Sequence, residues 1–330
     1  MASPSSFYGG LLWNLMLLFG SFLYGSHVVM LNICKVDGKI PFNSAAVVFF
    51  IELTKLMLSI LMLLLEFRKD NRVTMVLPTP KQFIMFSVPG ILYAVNNNLV
   101  VHIQAYMDPA SFQVLSNLKI VTTVILYRIM LKRPISTNKW IAFTLITIAG
   151  ASNSYGGWLS NQSLPEHHSL MEIHVTFNGI FLILLFCCIS GTAGVYTEYI
   201  LKKQAKLPFA VQSIMLYIFG VGMNFFAFFV SQLLRASSNE NLGFKETGDV
   251  FEGFSKWTLI IIVSQALSGI INGVIMKQAS SLTRLILIAG AMLISTTLSV
   301  FLFGLQFNDY FITAFILVII AMFIYHRPDR

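Results

Sequence analysis

Ten apolar runs of about 18 to 26 residues follow one another along the chain, near 11–33, 44–67, 82–106, 110–131, 138–158, 177–201, 209–235, 257–277, 282–305 and 309–325. At about 1.5 Å of rise per residue, each is long enough to cross roughly 30 Å of hydrocarbon as a helix. A bilayer offers the backbone no water, so segments of this length must close their hydrogen bonds internally. With 56% of its 330 residues hydrophobic and 11% charged, the chain has too much apolar surface for a soluble core. The sequence therefore predicts an all-α membrane protein of ten transmembrane helices. The first run is too long for a cleavable leader and has no basic stretch before it, so it is expected to stay as a span.

Lysine and arginine set the expected orientation. The even-numbered connections and the tail carry Arg68, Lys69, Arg72, Lys81, Lys132, Arg133, Lys139, Lys202, Lys203, Lys206, Arg327 and Arg330. The opposite connections hold Lys35, Lys39, Arg235, Lys245 and Lys256. Twelve against five places both termini in the cytosol. The sequon Asn161-Gln162-Ser163 then falls on the lumenal side. Ten spans divide into 1–158 and 175–330 around a polar connection at 159–174. An odd number of spans per half makes the two halves inverted repeats, a plan that places a site near the midplane. Short turns recur at corresponding places, Met107–Ser111 and Lys277–Ser281.

A net charge of +8 would suggest nucleic acid to a soluble protein; here the charges sit in loops, so the expected partner is the bilayer and no nucleic acid. Cys34, Cys187 and Cys188 lack metal spacing, and His167, His168 and His174 share a polar loop, so neither a metal nor a cofactor is expected. The motifs of metalloproteases, metal-dependent phosphate chemistry and acyl hydrolases are missing, so no enzyme is expected.

Polar groups inside the runs carry the functional expectation, because a charge at membrane depth is costly without a partner or a wet cavity. Glu52 and Lys55 lie three residues apart on one helix face, with Ser59 continuing it. They read either as a structural pair or as the wall of a solute site oriented by Glu52. Tyr93, Asn97, Val100 and Gln104 form a stripe with Asn96 and Asn98 beside it, and Phe112, Ser116, Lys119 and Thr123 form another. Ser213, Tyr217, Gly220 and Asn224 form a third, with Gln212 adjacent. Ser190, Gly191 and Gly194 read first as close-packing residues. Lys277 and Arg284 lie near helix ends, and with Lys55 and Lys119 they make four cations able to converge on phosphate. Only Glu52 and Glu198 lie well inside the spans as acids, so the expected guest is an anion. Tyr217 or Phe112 could stack on a base whose edge amides would read. A scaffold that moves nothing stays open as the rival, with these polar residues as interhelical glue.

The Glu52–Lys55 segment, the run Tyr93–Lys119 and Ser190–Glu198 resemble the nucleotide-sugar transporters of solute carrier family 35, subfamily A, in the drug/metabolite transporter superfamily. The resemblance covers about residues 11 to 325. The strings Asn96–Val100, Tyr106–Pro109 and Gln113–Lys119 look most like the branch described as probable UDP-sugar transporters and as Golgi CDP-ribitol carriers. The resemblance implies a multi-pass Golgi membrane antiporter. It would exchange a cytosolic pyrimidine nucleotide-sugar, CDP-ribitol foremost, for lumenal nucleoside monophosphate (CMP). UDP- or CMP-sugars are the alternatives, and a homodimer or an association with other nucleotide-sugar transporters is the implied protein partner. Similarity to the CMP-sialic acid transporter implies that Lys55, Tyr93, Asn97, Lys119, Ser190, Tyr217 and Lys277 touch the nucleotide. Asn96, Phe112 and Ser213 stand where that relative has glutamine, tyrosine and asparagine. These departures count against sialic acid as cargo and leave the phosphate lysines intact.

Overall fold

The computed structural model describes residues 10–34, 41–69, 78–103, 106–107, 109–162, 176–240, 251, 253–303 and 308–327. Among them run twelve helical segments. These are α1 (Leu11–Ile33), α2 (Ser44–Lys69), α3 (Pro80–Met85), α4 (Ser87–Ile103), α5 (Pro109–Ser116) and α6 (Leu118–Leu131). Then come α7 (Thr137–Gln162), α8 (Phe177–Lys203), α9 (Phe209–Glu240), α10 (Lys256–Gln278), α11 (Ser281–Phe303) and α12 (Asp309–Tyr325). Single residues, Phe86 and Asn117, separate α3 from α4 and α5 from α6. The segments thus amount to the ten helices that the apolar runs predict.

Both interruptions have local causes. Thr79 and Gln82 form a capping box at the start of α3, with Pro80 in its first position. Pro89 then withholds an N–H from the first turn of α4, and Phe86 turns tightly with its N–H on the Phe83 carbonyl at 3.0 Å. At the second break, the Asn117 amide donates to the Gln113 carbonyl at 2.9 Å and to Val114 at 3.2 Å. A side chain that competes for helix carbonyls in this way weakens the regular ladder.

Among the described residues seven helices are long and apolar enough to cross a membrane, whereas the apolar runs predict ten. The 17-residue α12 is apolar but shorter, and α4, set off from α3 at Phe86, also has 17 residues. α7 has the length, but its second half carries Ser152, Asn153 and Ser154. Those groups serve packing. Ser152 donates to the Tyr310 carbonyl at 3.1 Å, Thr296 donates to Asn153 Oδ1 at 2.8 Å, and Asn308 donates to the Gly156 carbonyl at 2.7 Å.

Large apolar side chains such as Leu12, Phe177 and Phe301 stand outward, each about four-fifths exposed. That outer face suits lipid, since the interior is filled by small and branched residues. Ala142 and Ala149 of α7 and Ala314 and Ala321 of α12 are fully buried, two seven-residue repeats that let the backbones approach. α7 and α12 make the most extensive pairing. Elsewhere α1 packs on α10 and α11, while α8 packs on α4 and α6. α2 lies against α9 and α10, and α9 also meets α4.

The turn expected at Lys277–Ser281 is present, with Ala279 and Ser280 joining α10 to α11. Gln104, Asp108, Ser163, the three loop histidines and most of the 159–174 connection lie outside the described residues, as do the side chains of Asn97 and Asn98.

Candidate functional site

The helices leave two adjoining cavities, about 250 Å³ and about 380 Å³. Tyr24 and Arg284 line both. Together they fall within the roughly 300–1,000 Å³ usual for small-molecule sites. α7 and α12 contribute to neither.

The first cavity holds the α2 pair. Lys55 Nζ lies 2.7 Å from Glu52 Oε1, and the ammonium stands 5.5 Å from the centre of the Tyr217 ring. Two glycines make room for this pair. A Cβ on Gly269 would stand 2.5 Å from Lys55 Cε, and one on Gly220 would stand 2.7 Å from Glu52 Oε2. The structural-pair reading of Glu52 and Lys55 is therefore correct as far as it goes, yet both side chains also line the void. Across from them α10 presents Gln265, Ser268 and Asn272.

The second cavity is lined by Phe112, Ser116, Lys119 and Thr123, the whole stripe predicted across the Asn117 break. Asn96, Ser190 and Gly194 complete its polar and small walls. Phe112 packs edge-on against Phe186, with centroids 5.6 Å apart.

Charge compensation separates the cations. Among the described residues no carboxylate lies within 4 Å of Lys119 or Arg284. Arg284 Nε is buried with no hydrogen-bond partner, while Nη1 lies 3.9 Å from the Met276 sulfur and the guanidinium also bonds the Tyr93 phenol. Its titratable neighbours are the phenols of Tyr93 and Tyr24. Three cavity amides share this condition, since Asn96 Oδ1, Gln265 Nε2 and Asn272 Oδ1 are buried without a partner. An unmet polar atom in a dry interior costs about 1–3 kcal/mol. Four of the seven such atoms among the described residues border the two adjoining cavities, where a polar guest could bond them.

The structure brings together most of the residues singled out by sequence. Glu52, Lys55, Tyr93 and Tyr217 line the first cavity, Asn96, Phe112, Lys119 and Ser190 the second, and Arg284 both. Asn97 belongs to α4, with its side chain outside the described residues. Ser213 is buried but lines neither cavity, and Lys277 also stands apart from both. Lys277 Nζ donates to the Leu207 carbonyl at 3.1 Å and lies over the Phe209 ring at 5.7 Å. Three of the four cations thus gather at the void. Glu198 lies outside it too, bonded to Lys202 and Ser281.

Sequence reading missed the α10 wall. The signal was present as Gln265, Ser268 and Asn272, spaced three and four apart in an otherwise apolar run. Tyr24, one of four aromatics in α1, gave none.

A bundle of helices apolar enough to cross a bilayer, around a void where Lys119 and Arg284 have no carboxylate within 4 Å among the described residues, fits a polytopic membrane transporter. The family model described as nucleotide-sugar transporter matches residues 14–326. The chain belongs to the nucleotide-sugar transporter family. A relative from Xenopus tropicalis, "Probable UDP-sugar transporter protein SLC35A4", is 42% identical over 318 residues, covering 96% of this chain and 92% of the relative. The human protein of the same name is 37% identical, covering 95% and 94%, and the Danio rerio one 37%, covering 95% and 93%. A solved crystal structure at 11% identity superposes with a TM-score of 0.63 over 94% of this chain and 96% of that one, a likeness of fold alone.

Proposed function

We propose that this chain is a Golgi antiporter that exchanges a cytosolic pyrimidine nucleotide-sugar, CDP-ribitol as the first candidate, for lumenal CMP. The observation that carries the reading is the pair Lys119 and Arg284, two cations at the cavities without a carboxylate partner among the described residues. A phosphate arriving between helices would supply the missing charge, while Asn96, Gln265 and Asn272 would bond its nucleoside and polyol hydroxyls. Lys55, already paired with Glu52, would contribute as a hydrogen-bonding wall beside Tyr93 and Tyr217, and Ser190 and Phe112 would bound the other side. Ser213 and Lys277 have no direct contact with the cargo in this arrangement.

Alternating access follows from the two-halves reading, 1–158 and 175–330 as inverted repeats with both termini cytosolic. Its support is the pairing pattern: exchanging the first five rods with the last five converts α1 on α10 and α11 into α8 on the α4 and α6 rods. It also converts α2 on α10 into α9 on α4. The cavities lie between those groups. Exchange rather than uniport fits the electrostatics, because an empty void would leave its cations without counter-charge during the swing. Golgi residence rests on the resemblance to the subfamily.

The test is exchange by the purified protein in liposomes preloaded with CMP or UMP, against CDP-, CMP- and UDP-linked sugars. CDP-ribitol against CMP is the expected fastest pair. Transport confined to UDP-sugars would favour the second reading, to which the name of the relatives points. No exchange with any of them would end the proposal.

A further inference from the structure

Glu198 is a fully buried carboxylate on α8 that lines neither cavity. One oxygen accepts from Lys202 Nζ at 2.5 Å. The other accepts the Ser281 backbone N–H at 2.6 Å and also the Ser281 hydroxyl. Ser281 is the first residue of α11, where unpaired N–H groups and the positive end of the helix dipole favour an anion. Lys202 in turn donates to the carbonyl of Ala279, which ends α10, where the dipole favours a cation. The acid and the base of one α8 turn therefore grip the two facing helix ends, each with the sign that suits it. Tyr127 of α6 and Tyr325 of α12 are the other titratable groups beside Glu198.

What this clasp holds is part of the cavity. Ser281 lines the second cavity, and Arg284, three residues on, lines both. Among the described residues no carboxylate lies within 4 Å of Arg284, which the Tyr93 phenol meets from α4, so the start of α11 helps to set its place.

We propose that Glu198 and Lys202 are positioning residues for transport, pinning the α10–α11 turn so that Arg284 stands at the junction of the two cavities. The role rests on the transporter reading above, but its test need not. In the full-length protein Ser280→Cys is labelled with a membrane-impermeant maleimide, with and without Glu198→Gln, relative to the parent lacking the added cysteine. Freeing the turn is expected to speed labelling about tenfold, the equivalent of about 1.4 kcal/mol of opening. In exchange assays Glu198→Gln is expected to raise KM about tenfold with kcat little changed. Lys202→Arg, which keeps a charged donor, should behave as the parent.

Removing one charge of a buried pair can prevent folding, so Glu198→Gln/Lys202→Met, which removes both, accompanies it. Faster labelling in either folded variant supports the clasp. Unchanged labelling, an unchanged KM, or failure of both variants to insert and fold would overturn it, the last by making the pair purely structural. Labelling uses no substrate, so a protein that exchanges no nucleotide would end the transporter reading and leave the clasp tested.

Discussion

The α7 seam and the central void both place amides and hydroxyls among apolar helices, and they differ in what those groups find. Along α7, Ser152, Asn153 and Ser154 each meet a partner outside that helix, and no buried polar side-chain atom of α7 lacks one among the described residues. Around the void, Asn96, Gln265, Asn272 and Arg284 each keep a buried polar atom unmet. The same residue types are glue in one place and a site in the other. Satisfaction by the protein itself, rather than polarity alone, separates these two regions, although His27, Ser136 and Gln212 also keep a buried atom unmet away from both cavities.

Substitutions can break that distinction, and the largest effect belongs to the cations. Lys119→Ala or Arg284→Gln is expected to abolish measurable exchange in proteoliposomes, the loss of about 2–5 kcal/mol that truncating one partner of a buried charge pair brings. Membrane insertion should be normal for both; undiminished transport would strip these residues of the phosphate role.

A smaller loss is expected from Gly269→Ala. The added methyl would meet Lys55 at Cε, the far end of a flexible side chain, so the ammonium shifts and the fold survives. Exchange should fall about tenfold, equivalent to about 1.4 kcal/mol, while thermal stability in detergent stays within error. Equal transport by the variant would show that the place of Lys55 is unimportant.

Asn272→Ala tests one orphan amide. Loss of a single neutral hydrogen bond is worth about 1 kcal/mol, so the apparent affinity for nucleotide in a thermal-shift titration should weaken about fivefold. If Asn272 is glue instead, the apo protein should lose stability and the affinity should hold.

The smallest effect sharpens the comparison from the other side. Thr296→Val removes the hydroxyl that bonds Asn153. Interhelical hydrogen bonds in membrane proteins average about 0.6 kcal/mol, so the variant should melt slightly earlier and transport as the parent does. A transport defect without destabilisation would extend the functional site into the seam.

Some of the site was legible along single helices. The stripe Phe112, Ser116, Lys119 and Thr123 lines the second cavity even though Asn117 breaks the helix within it. Glu52 and Lys55 could be paired from their spacing, and the structure pairs them. Spacing gave no access to Gly269, whose importance comes from the side chain it faces across two helices.

Hydropathy and helical period are local quantities, so the residues alone determined the ten helices and which side chains share a face. They could not determine the rotation of each helix about its axis, because packing against segments tens to hundreds of residues away sets it. That rotation turned Lys277 toward the Leu207 carbonyl, Arg284 into both cavities and Glu198 onto the first turn of α11. It decided which charges the protein compensates and which it leaves open to a guest.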